Sequence, residues 1–174
     1  AGFGITSGLA AGVDRAAHEA ALGVGGMTIA VLGTGPDVAY PQGHAALLAR
    51  VCGAGVVVSE HPPGTDARRE HFPSRNRIIA GLTLGTLVIE AASRSGALIT
   101  ARLAADAGRE VFAVPGSIHN PMARGCHRLI RDGAALVESA DDVIAALGSW
   151  AGALRGDLQR RLGGSISDTG PVPG

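Results

Sequence analysis

The chain has 174 residues, 46% of them hydrophobic, with 15 cationic and 15 anionic side chains and a formal net charge of zero. That length sets an expectation of one domain with a single core, and no apolar run is long enough to span a bilayer. A neutral total argues against an extended cationic nucleic-acid surface, so any such site has to be a local patch.

Short β-rich runs alternate with alanine-rich helical patterns along most of the chain. The first half reads as strand Phe3–Thr6, helix Gly12–Leu22, strand Met27–Leu32, helix His44–Cys52, strand Val56–Ser59 and helix Arg75–Leu84. The second half reads as strand Thr86–Glu90, helix Leu98–Ala107, strand Val111–Val114, helix Cys126–Arg131, strand Ala135–Val137 and helix Asp141–Leu147. Alternation of this kind predicts an α/β fold of the extended Rossmann-like, doubly wound type. Its sheet is expected to be mostly parallel, with five or six strands here and helices on both faces. The strands look apolar throughout, as doubly buried strands should. Residues 1–147 are therefore read as the domain and 148–174 as a linker or disordered tail, with at most a polar helical turn or two from Arg155 to Leu162. The chain begins almost on a strand and reads as a fragment of something longer. Its first residues, Ala1-Gly2-Phe3-Gly4, carry no basic segment or signal-like apolar block, which makes a soluble cytoplasmic protein the expectation.

The turns after the strands share a chemistry. They are Ser7-Gly8-Leu9, Gly33-Thr34-Gly35-Pro36, Ser59-Glu60-His61-Pro62, Ser93-Arg94-Ser95-Gly96 and Pro115-Gly116-Ser117. In an open parallel sheet such turns lie on one edge, where these folds bind ligands. Glycine admits close backbone approach, and serine or threonine adds hydroxyl donors.

The most informative stretch is His71-Phe72-Pro73-Ser74-Arg75-Asn76-Arg77-Ile78-Ile79-Ala80-Gly81-Leu82. Pro73 and Ser74 read as helix-start signals, and Ile78, Ile79 and Leu82 as the buried stripe. Arg75 and Arg77 then fall in or just before the first turn, where unpaired amides already carry partial positive charge. Two arginines gathered there make sense with an anion in the site. All fifteen cationic residues are arginine, and Arg68, Arg69, Arg75 and Arg77 lie within ten positions, diluted only by Glu70.

Other chemistries find little support. Gly33-Thr34-Gly35 follows a strand, but Val38 replaces the third glycine of a dinucleotide fingerprint and a loop follows instead of a helix. No phosphate-binding loop ending in lysine is possible without lysine. The six histidines have no metal-ligand spacing, and Cys52 and Cys126 lie far apart, both read as core-type residues or free thiols. No cofactor or metal is expected. His18, with Asp14 at i−4, reads as a structural hydrogen bond. Glu60 and Glu90, at strand ends, read as loop-amide acceptors more readily than as an acid–base pair.

Several motifs in order resemble the DNA-processing protein A (DprA/Smf) family. They are Ser7-Gly8-Leu9-Ala10-Ala11-Gly12-Val13-Asp14 with His18, Thr28 to Gly35, Tyr40-Pro41, Ser59-Glu60, and Phe72 to Leu82. Arg94 to Thr100, Gly108 to Ser117, Gly125 to Ile130 and Asp132-Gly133-Ala134 continue the match. The resemblance implies a non-enzymatic Rossmann-like domain that binds single-stranded DNA and helps load the RecA recombinase on incoming DNA during natural transformation of competent cells.

The DNA or phosphate site is expected at Ser7, Gly8, Gly33, Gln42, Arg69, Phe72, Arg75, Asn76, Arg77, Ser95 and Gly96, of which the resemblance carries over Arg69, Arg75 and Arg77. Gln42 stands where the family often has lysine, and His44 is read as a partial substitute when protonated. Phe72 reads either as a base-stacking ring or as the hydrophobic staple of its helix. The resemblance further implies a homodimer, with Ala105, His127, Ile130 and Leu136 at its edge. The family's first strand and helix, with a Gly-Ser-Arg motif, are missing from this stretch, as is a C-terminal winged-helix module. The alternative is a nucleotide-phosphate-processing enzyme on a related Rossmann-like fold, whose Pro-Gly-Gly-x-Gly-Thr-x-x-Glu signature is not found here. A pure interaction scaffold is a further reading.

Overall fold

The computed structural model describes residues 2–164. It divides into two compact units, the first ending at Glu138 and the second beginning at Ser139. The first unit holds β1 (Ile5–Ser7), α1 (Val13–Gly23), β2 (Thr28–Leu32), α2 (Ala45–Ala54), β3 (Val56–Ser59) and α3 (His71–Gly81). It continues with β4 (Gly85–Val88), α4 (Gly96–Asp106), β5 (Glu110–Ala113), α5 (Arg124–Arg131) and β6 (Ala135–Leu136). Short 3-10 turns precede α2 and α5, at Gln42–His44 and Pro121–Ala123.

Every strand pairing is parallel, but the strands form two sheets of three, ordered β1-β2-β3 and β4-β5-β6. Helix α3 carries the chain from one to the other. The expected α/β fold with parallel strands is present, its strands divided between two sheets among the described residues. Each half has its own core. Leu9, Ala30, Leu32, Leu47, Leu48 and Val51 pack in the first. Val88, Ala91, Ala101, Ala113 and Cys126 pack in the second.

Only β2, the middle strand of its sheet, is buried nearly throughout. The expectation of doubly buried strands fails at the margins, where Ile5, Val56, Leu87 and Leu136 are exposed. Apolar composition does not say which strand is central; neighbours decide that. Cys52 is an exposed free thiol, the second of the two readings, and Cys126 is a buried core residue.

The second unit begins with α6 (Ala140–Gly164). Ser139 Oγ accepts from the Asp142 amide at 3.3 Å, and Asp142 Oδ2 accepts from the Ser139 amide at 2.9 Å, a reciprocal cap. The helix runs straight through the stretch from Gly148 that reads as a linker. Trp150, Leu154, Leu158 and Leu162 recur every four residues, and Asp157 pairs with Arg160 and Arg161, so helical spacing outweighs the scattered glycines. The expected tail from 165 to 174 lies outside the described residues. Among the described residues, no helix is long and apolar enough to cross a membrane.

Candidate functional site

The register places Ser7 of β1 opposite Ala30 and Leu32 of β2 opposite Ser59 of β3, so the loops that follow these strands share one edge. The first loop is held tightly. Asp14 Oδ2 accepts from the amides of Gly8 at 3.0 Å and Ala10 at 3.1 Å, and His44 Nδ1 bonds the Leu9 carbonyl at 2.9 Å. These bonds bracket Leu9, a buried non-glycine residue at φ 59°, a costly conformation for a branched side chain. Asp14 therefore serves the loop instead of His18.

His18 bonds Thr28 across the α1–β2 interface at 2.7 Å. Thr28 Oγ1 spends its proton on the Ile5 carbonyl, so His18 Nδ1 is the donor and its Nε2 is left a buried acceptor without a partner among the described residues. Burial lowers the His18 pKa, opposed by Asp14 and assisted by Arg75. A buried neutral histidine stabilises the fold above its unfolded pKa, near 6.5, and that stability is lost as pH falls through the lower folded value. Urea midpoints are expected to drop between pH 7.5 and pH 5, and the drop should shrink in a folded His18→Asn variant.

Helix α3 starts at His71, two residues ahead of Pro73, with Glu70 as a cap that offers no side-chain bond. Phe72 is thus inside the helix, which removes its reading as a staple preceding the cap. Arg75 lies a full turn in, beyond the unpaired first-turn amides. The reason is tertiary: His71 Nδ1 bonds the Gly33 carbonyl at 3.0 Å, which extends the helix back to the end of β2. The inward face is also not the expected one. Arg75, Asn76 and Ala80 are buried, Ile78 and Ile79 are half-buried, and Leu82 is exposed.

Arg75 is 6% exposed and reaches across the strand ends. Its Nη1 donates to the Gly8 carbonyl at 2.8 Å and to the Val31 carbonyl, and its Nε donates to Asn76 Oδ1 at 3.1 Å. Among the described residues, Nη2 makes no hydrogen bond of this kind. The guanidinium lies on Gly8 so closely that a Cβ there would overlap it unless the arginine shifted. Burial pushes the Arg75 pKa down, and Asp14 pushes it back up.

Aromatic rings line the adjoining surface. The Phe72 ring sits 5.1 Å from that of Tyr40, and the Arg75 guanidinium carbon lies 6.0 Å from the Phe72 centroid. A Cβ on Gly33 would meet Phe72 Cδ1 at 3.0 Å, so this glycine makes room for the ring. His61 stacks on His71 with centroids 3.8 Å apart and planes inclined by 20°.

Gly8, Gly33, Phe72, Arg75 and Asn76 are therefore brought together. Ser7 ends β1 beside them, and exposed Gln42 follows Tyr40-Pro41 in the 3-10 turn. Arg69 is exposed just ahead of α3. Arg77 is tied to Glu60 in an exposed ion pair, which gives Glu60 a side-chain partner in place of loop amides. Ser95 caps α4, accepting from the Ala97 amide at 3.3 Å, with Gly96 next to it. Ser95 also lines a cavity of about 620 Å³ between α4 and α5 with Arg94, Arg102 and Arg128. His61 and His71 stand at this edge too, and neither is among the site residues expected from the sequence. Among the described residues, no group of three or more His, Cys, Asp or Glu is placed to hold a metal.

The sequence profile of the DNA recombination-mediator protein A family matches residues 1–148. The chain belongs to this family. It is 54% identical over 141 residues to the DNA processing protein DprA of Streptococcus pneumoniae, covering 81% of this chain and 50% of that protein. Protein Smf of Escherichia coli is 51% identical over 147 residues, 84% of this chain and 39% of the relative. The chain thus spans about half or less of the length of these curated relatives. The X-ray structure of DprA from Streptococcus pneumoniae matches with a TM-score of 0.78 at 52% identity, covering 82% of this chain and 50% of that one. DNA processing protein A from Helicobacter pylori, whose structure concerns a unique single-stranded DNA binding mode, matches with a TM-score of 0.75 at 27% identity. That match covers 83% of this chain and 66% of the other.

Proposed function

We propose that the edge formed by Gly8, Gly33, Phe72, Arg75 and Asn76 binds single-stranded DNA, and that the whole protein loads RecA recombinase on incoming DNA during natural transformation of competent cells. The observation that carries this reading is a guanidinium and an aromatic ring, 6.0 Å apart, seated on Gly8 and Gly33, whose missing side chains make room for them. Sequence-independent binders of single strands combine such cations with rings on which bases stack. Arg69 supplies an exposed charge for phosphates, and Ser7, Gln42, Asn76, Ser95 and Gly96 add polar or backbone contacts. Arg77 contributes once DNA competes for it with Glu60. Arg75 mainly builds the edge, presenting Nη2 and its charge to the strand.

The reading is of a cytoplasmic mediator that needs no cofactor and acts without catalysis, so nucleoside monophosphates incubated with it should release no base. The deciding experiment is a titration of the full-length protein against single- and double-stranded oligonucleotides at two salt concentrations. The single strand should bind more tightly, and equal affinity for both would refute the reading. RecA filament assembly on single strands, followed with and without the protein, tests the mediator role.

The homodimer belongs to the same proposal. Ala105 and Leu136 are exposed, His127 and Ile130 half-buried, and β6 is an edge strand with an unpaired side. His127 is partly committed, since its Nε2 bonds the Gly116 carbonyl at 2.9 Å. Ile130→Glu should convert the dimer to a monomer in sedimentation at tens of micromolar, roughly where specific dimers persist. An unchanged mass would count against this edge.

A further inference from the structure

We propose that the stacked His61–His71 pair is a second base-stacking step of the single-strand site, continuing the ledge made by Tyr40 and Phe72. The inference rests on the single-strand reading above and adds to it the unpaired bases that this surface takes. The two imidazoles present a flat surface, with centroids 3.8 Å apart and planes only 20° from parallel. Both residues are half-buried, so each keeps exposed area.

The two ring pairs hang from one backbone residue. His71 bonds the Gly33 carbonyl, and the Phe72 ring occupies the space where a Gly33 side chain would stand. Because a carbonyl only accepts, His71 Nδ1 carries the proton, and the ring cannot turn without losing that bond. The backbone at His61 is anchored from the other side, and its ring rests on the fixed His71 ring. The His61 amide donates to Ser59 Oγ at 3.0 Å, while Ser59 Oγ donates to the Thr34 carbonyl at 2.5 Å. A ring held in place before binding loses little entropy when a base lands on it.

The His61 ring makes no hydrogen bond to any described residue, so packing on His71 is its only ring contact of note. Glu60, its neighbour in the chain, holds Arg77. Every base offers a π-face, so the contact is indifferent to sequence, whereas duplex bases are already stacked on each other.

The test measures the affinity of the full-length protein for an oligothymidylate and for an abasic oligomer of equal length, which keeps the phosphates and lacks the bases. His61→Ala should weaken oligothymidylate binding about five- to tenfold, the lower end of base–aromatic stacking, and leave abasic binding unchanged. His61→Phe should bind like the parent. A folded His61→Ala variant with parental oligothymidylate affinity overturns the proposal, as does an equal loss on both oligomers. Should His61→Ala melt early, a well-folded His61→Phe variant still decides, and weak binding by it refutes a stacking role. If the parent itself binds neither oligomer, the single-strand reading falls as a whole, an outcome distinct from a parent that binds and a His61 variant that makes no difference.

Discussion

Replacing Arg75 with alanine is expected to cost about 3 kcal/mol of stability, lowering the melting midpoint by about 10 °C. The guanidinium is the shared donor to the carbonyls of Gly8 and Val31, contributed by chain segments far from α3. Removing it leaves two acceptors at the strand ends without their donor, at about 1–3 kcal/mol each where water cannot replace it. It also opens a cavity over Gly8. Relief from burying a cation offsets part of this loss. Arg75→Lys should recover little, because one ammonium on a flexible stem does not reproduce the planar fork that spans both carbonyls. Arg75→Met should restore packing but not the hydrogen bonds, and so fall between alanine and the parent. Thermal melts of the three variants decide the matter. A parental midpoint for Arg75→Ala, with a reduced salt dependence of DNA binding, would mean that Arg75 serves phosphate and not the fold.

The exposed charges should behave in the opposite manner, changing binding and leaving stability alone. Each phosphate neutralised on a single strand contributes roughly 0.7 to the slope of log affinity against log salt. Arg69→Ala should flatten the slope by about that amount and weaken all sequences alike, roughly eightfold at 50 mM salt. Arg77 is different because Glu60 already occupies it. Glu60→Gln should release Arg77 and tighten single-strand binding, a gain of function that a purely structural ion pair would not produce. An exposed pair of this kind contributes little to the fold, so neither variant should shift the melt appreciably. Arg131 on α5, away from the strand-end site, is the control and should leave the slope unchanged. An unaltered slope in Arg69→Ala would remove that residue from the interface.

Much of the fold was legible from local pattern alone. All six strands and the helices between them lie within a few residues of their expected positions, because apolar periodicity and glycine punctuation are properties of neighbouring residues. The motif around Phe72 and Arg75 could be singled out in the same way, as could the glycine-rich turns that the strands deliver to one edge. What the motif does with its side chains was not legible. The start of α3 depends on a bond from His71 to Gly33, 38 residues earlier, and no local signal near Pro73 encodes that contact.

By itself the sequence determined the order of elements, the parallel alternation and the cluster of arginines near one helix. Tertiary structure alone decided that Arg75 turns inward to two carbonyls, that Asp14 serves a loop and not His18, and that Glu60 holds Arg77. It also decided that β2 is buried while its neighbours are edges. The physical reason is the same in each case. A charged or polar group goes to the partner that best offsets its desolvation, and those partners lie 4 to 67 positions away along the chain. Local composition sets which groups need partners; only the packed fold determines which partners they find.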